Sequence, residues 1–305
     1  MAAARPRVSL RAQAVRLGLR FFIKRNYRPE PIEVTRQRFR RMELLVPSPP
    51  RGTKVENLSI AGRPASSIAV REARPGTTVF FLHGGAYSVG SFRNYANFTW
   101  RLGRATRARV LALDYRLAPE HPYPAALEDA LAGYQWLIEH GADPRRILIA
   151  GDSAGGGLTL ALLLKLRDDK RPLPAGAVAM SPWTDLALTG ASVETNAGRD
   201  PMLVASELPR LAKMYLRDAE ARDPYASPIY ADPRGLPPVL IQAGGDEILR
   251  DDAVRMAEKM KAAGCEVELH VWPGMPHVFQ LLAAVMPEAQ GALAEIARFA
   301  ARVLP

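Results

Sequence analysis

One cysteine, Cys265, is all that the 305 residues contain, so an internal disulfide is excluded. No cysteines and histidines cluster at zinc-ligand spacing, which removes cysteine-built metal sites too. No apolar run approaches the roughly 18–20 residues that cross a bilayer. The opening segment meets an arginine every few residues and lacks the apolar stretch of a secretory signal, so a cytoplasmic location is expected. Internal repeats are absent as well. With 48% hydrophobic and 24% charged residues, the composition excludes disorder, collagen-like repetition and coiled coil. The length suits two domains, or one large α/β domain carrying an insertion.

A net charge of +10 raises the question of nucleic acid. The distribution answers it. Residues 1–54 hold 14 Lys/Arg against 3 Asp/Glu, whereas the remainder holds 27 against 28. A neutral body with one basic terminal segment does not make a distributed phosphate-binding face, so no nucleic-acid partner is expected. Within that segment Leu10, Ala14, Leu17 and Phe21 recur at helical spacing, with arginines largely between them. A second helical pattern runs from Glu33 to Leu45. Three readings are open: helices packed on the main domain, a lid over a site, or a membrane-surface element.

From Val55 the pattern becomes short strands, beginning with a hairpin through Ala61-Gly62-Arg63-Pro64. Apolar strands then alternate with helices. Strands are expected at Thr77–Leu82, Val110–Asp114, Ile147–Ala150, Ala177–Met180, Val239–Ala243 and Val267–Val271. Helices are expected at Ala125–Glu139, Leu158–Arg167, Asp251–Ala263 and Pro287–Val303. Near-continuous apolar strands alternating with helices predict a mostly parallel sheet covered on both faces. The interval from Asp185 to Asp232 breaks this rhythm and reads as an insertion above the sheet.

Gly151-Asp152-Ser153-Ala154-Gly155 follows one predicted strand and precedes a helix, the setting in which G-x-S-x-G presents a nucleophilic serine. Taken alone, the five residues would also fit a glycine-rich turn packing helix on strand, the lesser reading. A phosphate loop is disfavoured, because no Gly-Lys-Ser/Thr follows. His83-Gly84-Gly85-Ala86 also follows a strand, and the N–H groups of its consecutive glycines together with that of Ala154 could hold an oxyanion. Only His270 and His277, of five histidines, come after Ser153. His270 shares a strand face with glutamates and reads as an exposed strand residue. His277 lies in a loop leaving the last strand, where a base can reach back over the sheet edge. His83, His121 and His140 read as structural. For the acid, Asp246 follows the strand Val239–Ala243, with Glu247 its close competitor. The order serine, acid, histidine is that of α/β-hydrolases rather than of the chymotrypsin or subtilisin folds.

The chain resembles the bacterial hormone-sensitive-lipase-like esterases (family IV). The resemblance rests on His83 to Tyr87, Asp114-Tyr115-Arg116-Leu117-Ala118-Pro119-Glu120 and the residues to Ala126, Gly151 to Gly156, Ser181-Pro182-Trp183, Asp246 to Leu249 and Met275-Pro276-His277. It implies an α/β-hydrolase: a mostly parallel central sheet with helices on both faces and a helical cap. It further implies Ser153 as nucleophile, Asp246 and His277 completing the triad, and Gly84, Gly85 and Ala154 as oxyanion donors. Cap helices in residues 1–54 and a catalytic domain over 55–305, with a cap insertion at about 185–232, follow from the same likeness. The family's third glycine is Ala86 here, whose Cβ narrows the alcohol side of the site.

The expected function is serine-dependent hydrolysis of small, relatively apolar carboxylic esters, without cofactor or metal. The expected partner is the small-molecule ester, with no stable membrane insertion; a homodimer is left open. A lactone hydrolase is the near alternative. A non-catalytic ligand-binding relative of the fold is the more distant one, and His277 argues against it.

Overall fold

The computed structural model describes residues 8–305. Helices α1 (Leu10–Leu19) and α2 (Ile32–Glu43) lead into strands β1 (Lys54–Ile60), β2 (Arg63–Ala69) and β3 (Thr78–Leu82). Helix α3 (Ala96–Thr106), β4 (Arg109–Leu113), α4 (Ala125–Glu139), β5 (Ile147–Asp152), α5 (Ala154–Asp168) and β6 (Gly176–Met180) follow. The insertion contributes α6 (Ser192–Thr195) and α7 (Leu208–Leu216). The chain closes with β7 (Val239–Gly244), α8 (Arg250–Ala262), β8 (Val267–Trp272) and α9 (Pro287–Val303).

These strands make one eight-stranded sheet in the order β1-β2-β4-β3-β5-β6-β7-β8. β1, β2 and β4 pair antiparallel, and all pairs from β4 to β8 are parallel. The central strands are buried end to end, which explains their unbroken apolar sequence. Alternate side chains of each strand face opposite layers. Phe80 and Leu82 of β3, with Ile147 and Ile149 of β5, pack against α4, α5 and α8. Val79 and Phe81, with Leu148 and Ala150, pack against α3 and α9. The fold class is the one the sequence predicts.

The carboxyl ends of β3, β5, β6, β7 and β8 lie side by side along one edge, so the loops after them converge. The insertion follows β6 and is tied to that edge. The rings of Tyr215 on α7 and Tyr87 stack with centroids 3.7 Å apart, worth about 0.5–1.5 kcal/mol beyond their burial. Asp185 accepts from Arg255 at 3.0 Å and from the Tyr230 hydroxyl at 2.9 Å, fixing both ends of the segment to α8. The basic terminal segment lies against the same edge. Ser9 caps α1 and donates to Glu288 of α9, Lys24 donates to the Asp200 carbonyl, and Arg36 donates to the carbonyls of Ser88 and Ala118. Among the described residues no helix is long and apolar enough to cross a membrane.

Candidate active site

Ser153 occupies the turn between β5 and α5 with φ 52° and ψ −121°, a conformation costing about 1–3 kcal/mol that the surroundings must enforce. The flanking glycines permit it. A Cβ on Gly151 would sit 2.2 Å from the Gly155 carbonyl oxygen, and one on Gly155 would sit 2.1 Å from the Leu82 carbonyl oxygen. Ser153 is held by its N–H on Met180 and by its carbonyl, which accepts from Gly157 and Trp183. Its hydroxyl makes no cap bond to α5 and is free for another partner.

That partner is His277. Nε2 of the imidazole lies 2.9 Å from Ser153 Oγ, and Nδ1 lies 2.7 Å from Glu247 Oε2. The loop after β8 brings the ring into place. Val278 adopts φ 49° and gives its N–H to the Ser181 hydroxyl at 3.1 Å. Glu247 is fully buried and its other oxygen accepts from the Gly244 N–H at 3.0 Å. Burial pushes the Glu247 carboxyl up, with the His277 hydrogen bond and charge opposing the shift. Burial pulls the imidazole down, but its hydrogen bond to Glu247 and that carboxylate's charge prevail, so His277 is raised. The result is a buried ring strengthened as a base, facing a half-exposed serine.

Asp152 links the serine turn to the glycine turn after β3. Its carboxylate accepts from Gly84 N–H at 3.0 Å and from the Tyr95 hydroxyl at 2.9 Å. A Cβ on Gly84 would lie 2.3 Å from Asp152 Oδ2, so glycine is required there. Burial raises Asp152 to about 7 against the Tyr95 hydrogen bond. Gly85 turns at φ 117°, where a Cβ would meet the Val89 carbonyl at 2.1 Å. Gly85 and Ala86 are half-exposed, and their N–H groups have no acceptor among the described residues.

Against this geometry the family can be assigned. The family described as alpha/beta hydrolase fold matches residues 79–281. An acetyl-hydrolase of Streptomyces hygroscopicus is 47% identical over 225 residues, 73% of this chain and 75% of that protein. An esterase of Acinetobacter venetianus is 39% identical over 252 residues, covering 80% of this chain and 83% of its own. A crystal structure of an esterase from the bacterial hormone-sensitive lipase family superposes with a TM-score of 0.93 at 40% identity, over 98% of this chain and 100% of that one. The chain belongs to the hormone-sensitive-lipase-like esterases of the α/β-hydrolase fold. It is a carboxylic ester hydrolase.

Two sequence expectations for this esterase need correction. Asp246 does not reach His277. Its carboxylate pairs with Arg16 of α1, while its backbone N–H is held by the Met275 carbonyl at 3.2 Å. The next residue, Glu247, turns inward and supplies the carboxylate on the imidazole. Gly84 does not present its N–H to the serine, because Asp152 and Tyr95 take it. The free donors of that turn are those of Gly85 and Ala86, and Ala86 is the one the resemblance did not name as a donor.

The remaining histidines of the esterase lie elsewhere. His83 is buried, stacks on Tyr115 at 4.4 Å, and is held near pKa 4 by burial, which keeps it neutral. His140 stacks on Trp136 at the end of α4. His270 is half-buried rather than exposed, and Nδ1 meets Glu295 at 2.8 Å. No group of three or more His, Cys, Asp or Glu among the described residues is arranged to hold a metal ion.

Proposed function

We propose that the esterase works through an acyl-enzyme on Ser153. The observation that carries this reading is the continuous line Ser153 Oγ to His277 Nε2 at 2.9 Å and His277 Nδ1 to Glu247 at 2.7 Å. His277 takes the hydroxyl proton as Ser153 attacks the ester carbonyl, and Glu247 holds the ring's tautomer and stabilises the imidazolium. The tetrahedral oxyanion is received by the N–H groups of Gly85, Ala86 and Ala154, each such donor contributing on the order of 3 kcal/mol to the transition state. His277 returns its proton to the leaving alcohol. Water then repeats the attack, with the same ring as base, and releases the acid. No step calls on a cofactor.

The proposed substrates are small, relatively apolar esters. The likeness to an acetyl-hydrolase supports short acyl groups. The methyl of Ala86 beside the oxyanion donors, where the family's third glycine would stand, supports a narrow alcohol side. We assign residues 1–54 and the insertion at about 185–232 to the cap. The anchoring of Arg16 on Asp246, Arg36 on Ser88 and Tyr215 on Tyr87 supports this, since each contact joins a cap element to a loop of the site. Hydrolysis of p-nitrophenyl esters of increasing acyl length tests the substrate reading. kcat/KM should be highest for acetate to butyrate and fall for longer chains; a maximum at long acyl chains would contradict it.

A further inference from the structure

The apolar stripe that the sequence places on the first helix does not face the protein. Leu10, Leu17 and Phe21 are 82%, 69% and 50% exposed, and Ala14 between them is exposed too. These residues stand at i, i+4, i+7 and i+11, so they share one side of α1 and its continuation. The opposite side holds the helix down: Ala12 is fully buried and Arg16 pairs with Asp246. Phe22, also exposed, meets Phe21 edge-on with centroids 5.3 Å apart. Arg11, Arg20 and Arg25 flank the stripe and are exposed, the Arg25 guanidinium lying 5.4 Å from the Phe21 ring centre. The surface is thus an apolar strip edged with cations, anchored from behind.

We infer that this face of α1 docks on an anionic phospholipid bilayer. Charge decides the occupant. The segment of residues 1–54 carries a net +11, and the rest of the chain is close to neutral at −1. A second copy would offer either the same positive face or a body that is close to neutral overall. A bilayer with anionic headgroups meets both features: the arginines sit among the headgroups and the leucine and phenylalanine side chains enter the acyl boundary. The docking is peripheral: among the described residues no helix is long and apolar enough to cross a membrane.

Sedimentation of the full-length protein with vesicles tests the inference. Phosphatidylcholine vesicles containing about one third phosphatidylglycerol should bind at least tenfold more protein than phosphatidylcholine alone, and about 0.5 M salt should remove most of the difference. The combined variant Leu10→Ser, Leu17→Ser and Phe21→Ser should lose binding at least about tenfold per side chain removed. Because these side chains are mostly in water, it should keep its circular dichroism and its rate on soluble short esters. Arg11→Gln with Arg20→Gln should flatten the salt dependence while retaining weak binding. Equal binding to neutral and anionic vesicles would overturn the inference. So would unchanged binding by the triple serine variant, or a stripe-dependent dimer that forms while vesicles bind nothing.

Discussion

Glu247 and His277 form a contact of 2.7 Å between two side chains that are both withdrawn from water. Asp246, its immediate neighbour, faces away onto Arg16 and remains partly in water. The difference between adjacent acids is directly measurable. Glu247→Gln keeps the shape but removes the charge that stabilises the imidazolium, and kcat should fall roughly 10³-fold or more. Asp246→Asn removes only a pairing with α1 and should cost less than about tenfold. Steady-state kinetics on a short aryl ester checks both. The reverse ranking would return the acid to Asp246.

The same pair sets the pH dependence. His277 must be neutral to accept the serine proton, so activity is lost as pH falls through its pKa. Because Glu247 raises that pKa above the ordinary 6.5, the acid limb of kcat/KM should lie on the alkaline side of 6.5. In Glu247→Gln the largest raising influence is gone and burial is opposed only by the charges of Asp200 and Asp152, so the acid limb of the residual activity should move to lower pH. A pH–rate profile of both proteins reads the sign, and an unmoved limb would show that Glu247 does not govern the ring.

Much of this was legible in the sequence. The alternation of apolar strands with helices gave the parallel sheet, because strands buried on both faces must be apolar throughout. Ser153 and His277 were legible from their loops at strand ends. The acid was not, since the dipeptide Asp246-Glu247 offers two carboxylates in one turn. What separates them is a contact with Arg16, 230 residues away along the chain. Gly84 was misassigned for a related reason: its N–H is taken by Asp152, 68 residues downstream. Helix α3 escaped notice altogether, its Gly103 and arginines weakening the helical pattern around Phe98 and Leu102. For α1 the periodicity was legible and the direction was not, which is why three readings stayed open. An apolar stripe reads as a buried face by default, and here Ala12 and Arg16 make the inner contact instead.

Glycine at position 155 is a steric requirement for the serine turn. Gly155→Ala would place Cβ 2.1 Å from the Leu82 carbonyl oxygen, which belongs to a central strand and cannot yield. The variant should lose about 1–3 kcal/mol or more of stability, read as a lower midpoint in urea, and most of its activity. Full stability would mean that the turn tolerates a side chain.

Tyr95 bears on catalysis only through the glycine turn. Its hydroxyl accepts the Gly84 N–H at 3.1 Å and donates to Asp152 at 2.9 Å. In Tyr95→Phe the ring's packing is kept, and the buried Asp152 is left short of a donor at a cost of about 1–3 kcal/mol. The loosened turn should lower kcat roughly tenfold with KM little changed, since the oxyanion donors act in the transition state. An effect on KM alone would argue against this positioning role.

The central claim is that Ser153 is the nucleophile. Its most direct test is the site of covalent capture by an aryl organophosphonate ester, located by peptide mass spectrometry. The protein should take up one phosphonyl group per chain, on the peptide containing Ser153, in step with the loss of esterase activity. Ser153→Ala should take up none while keeping its fold. Label on another residue, or a Ser153→Ala protein that still hydrolyses esters at more than a few per cent of the original rate, would contradict the account.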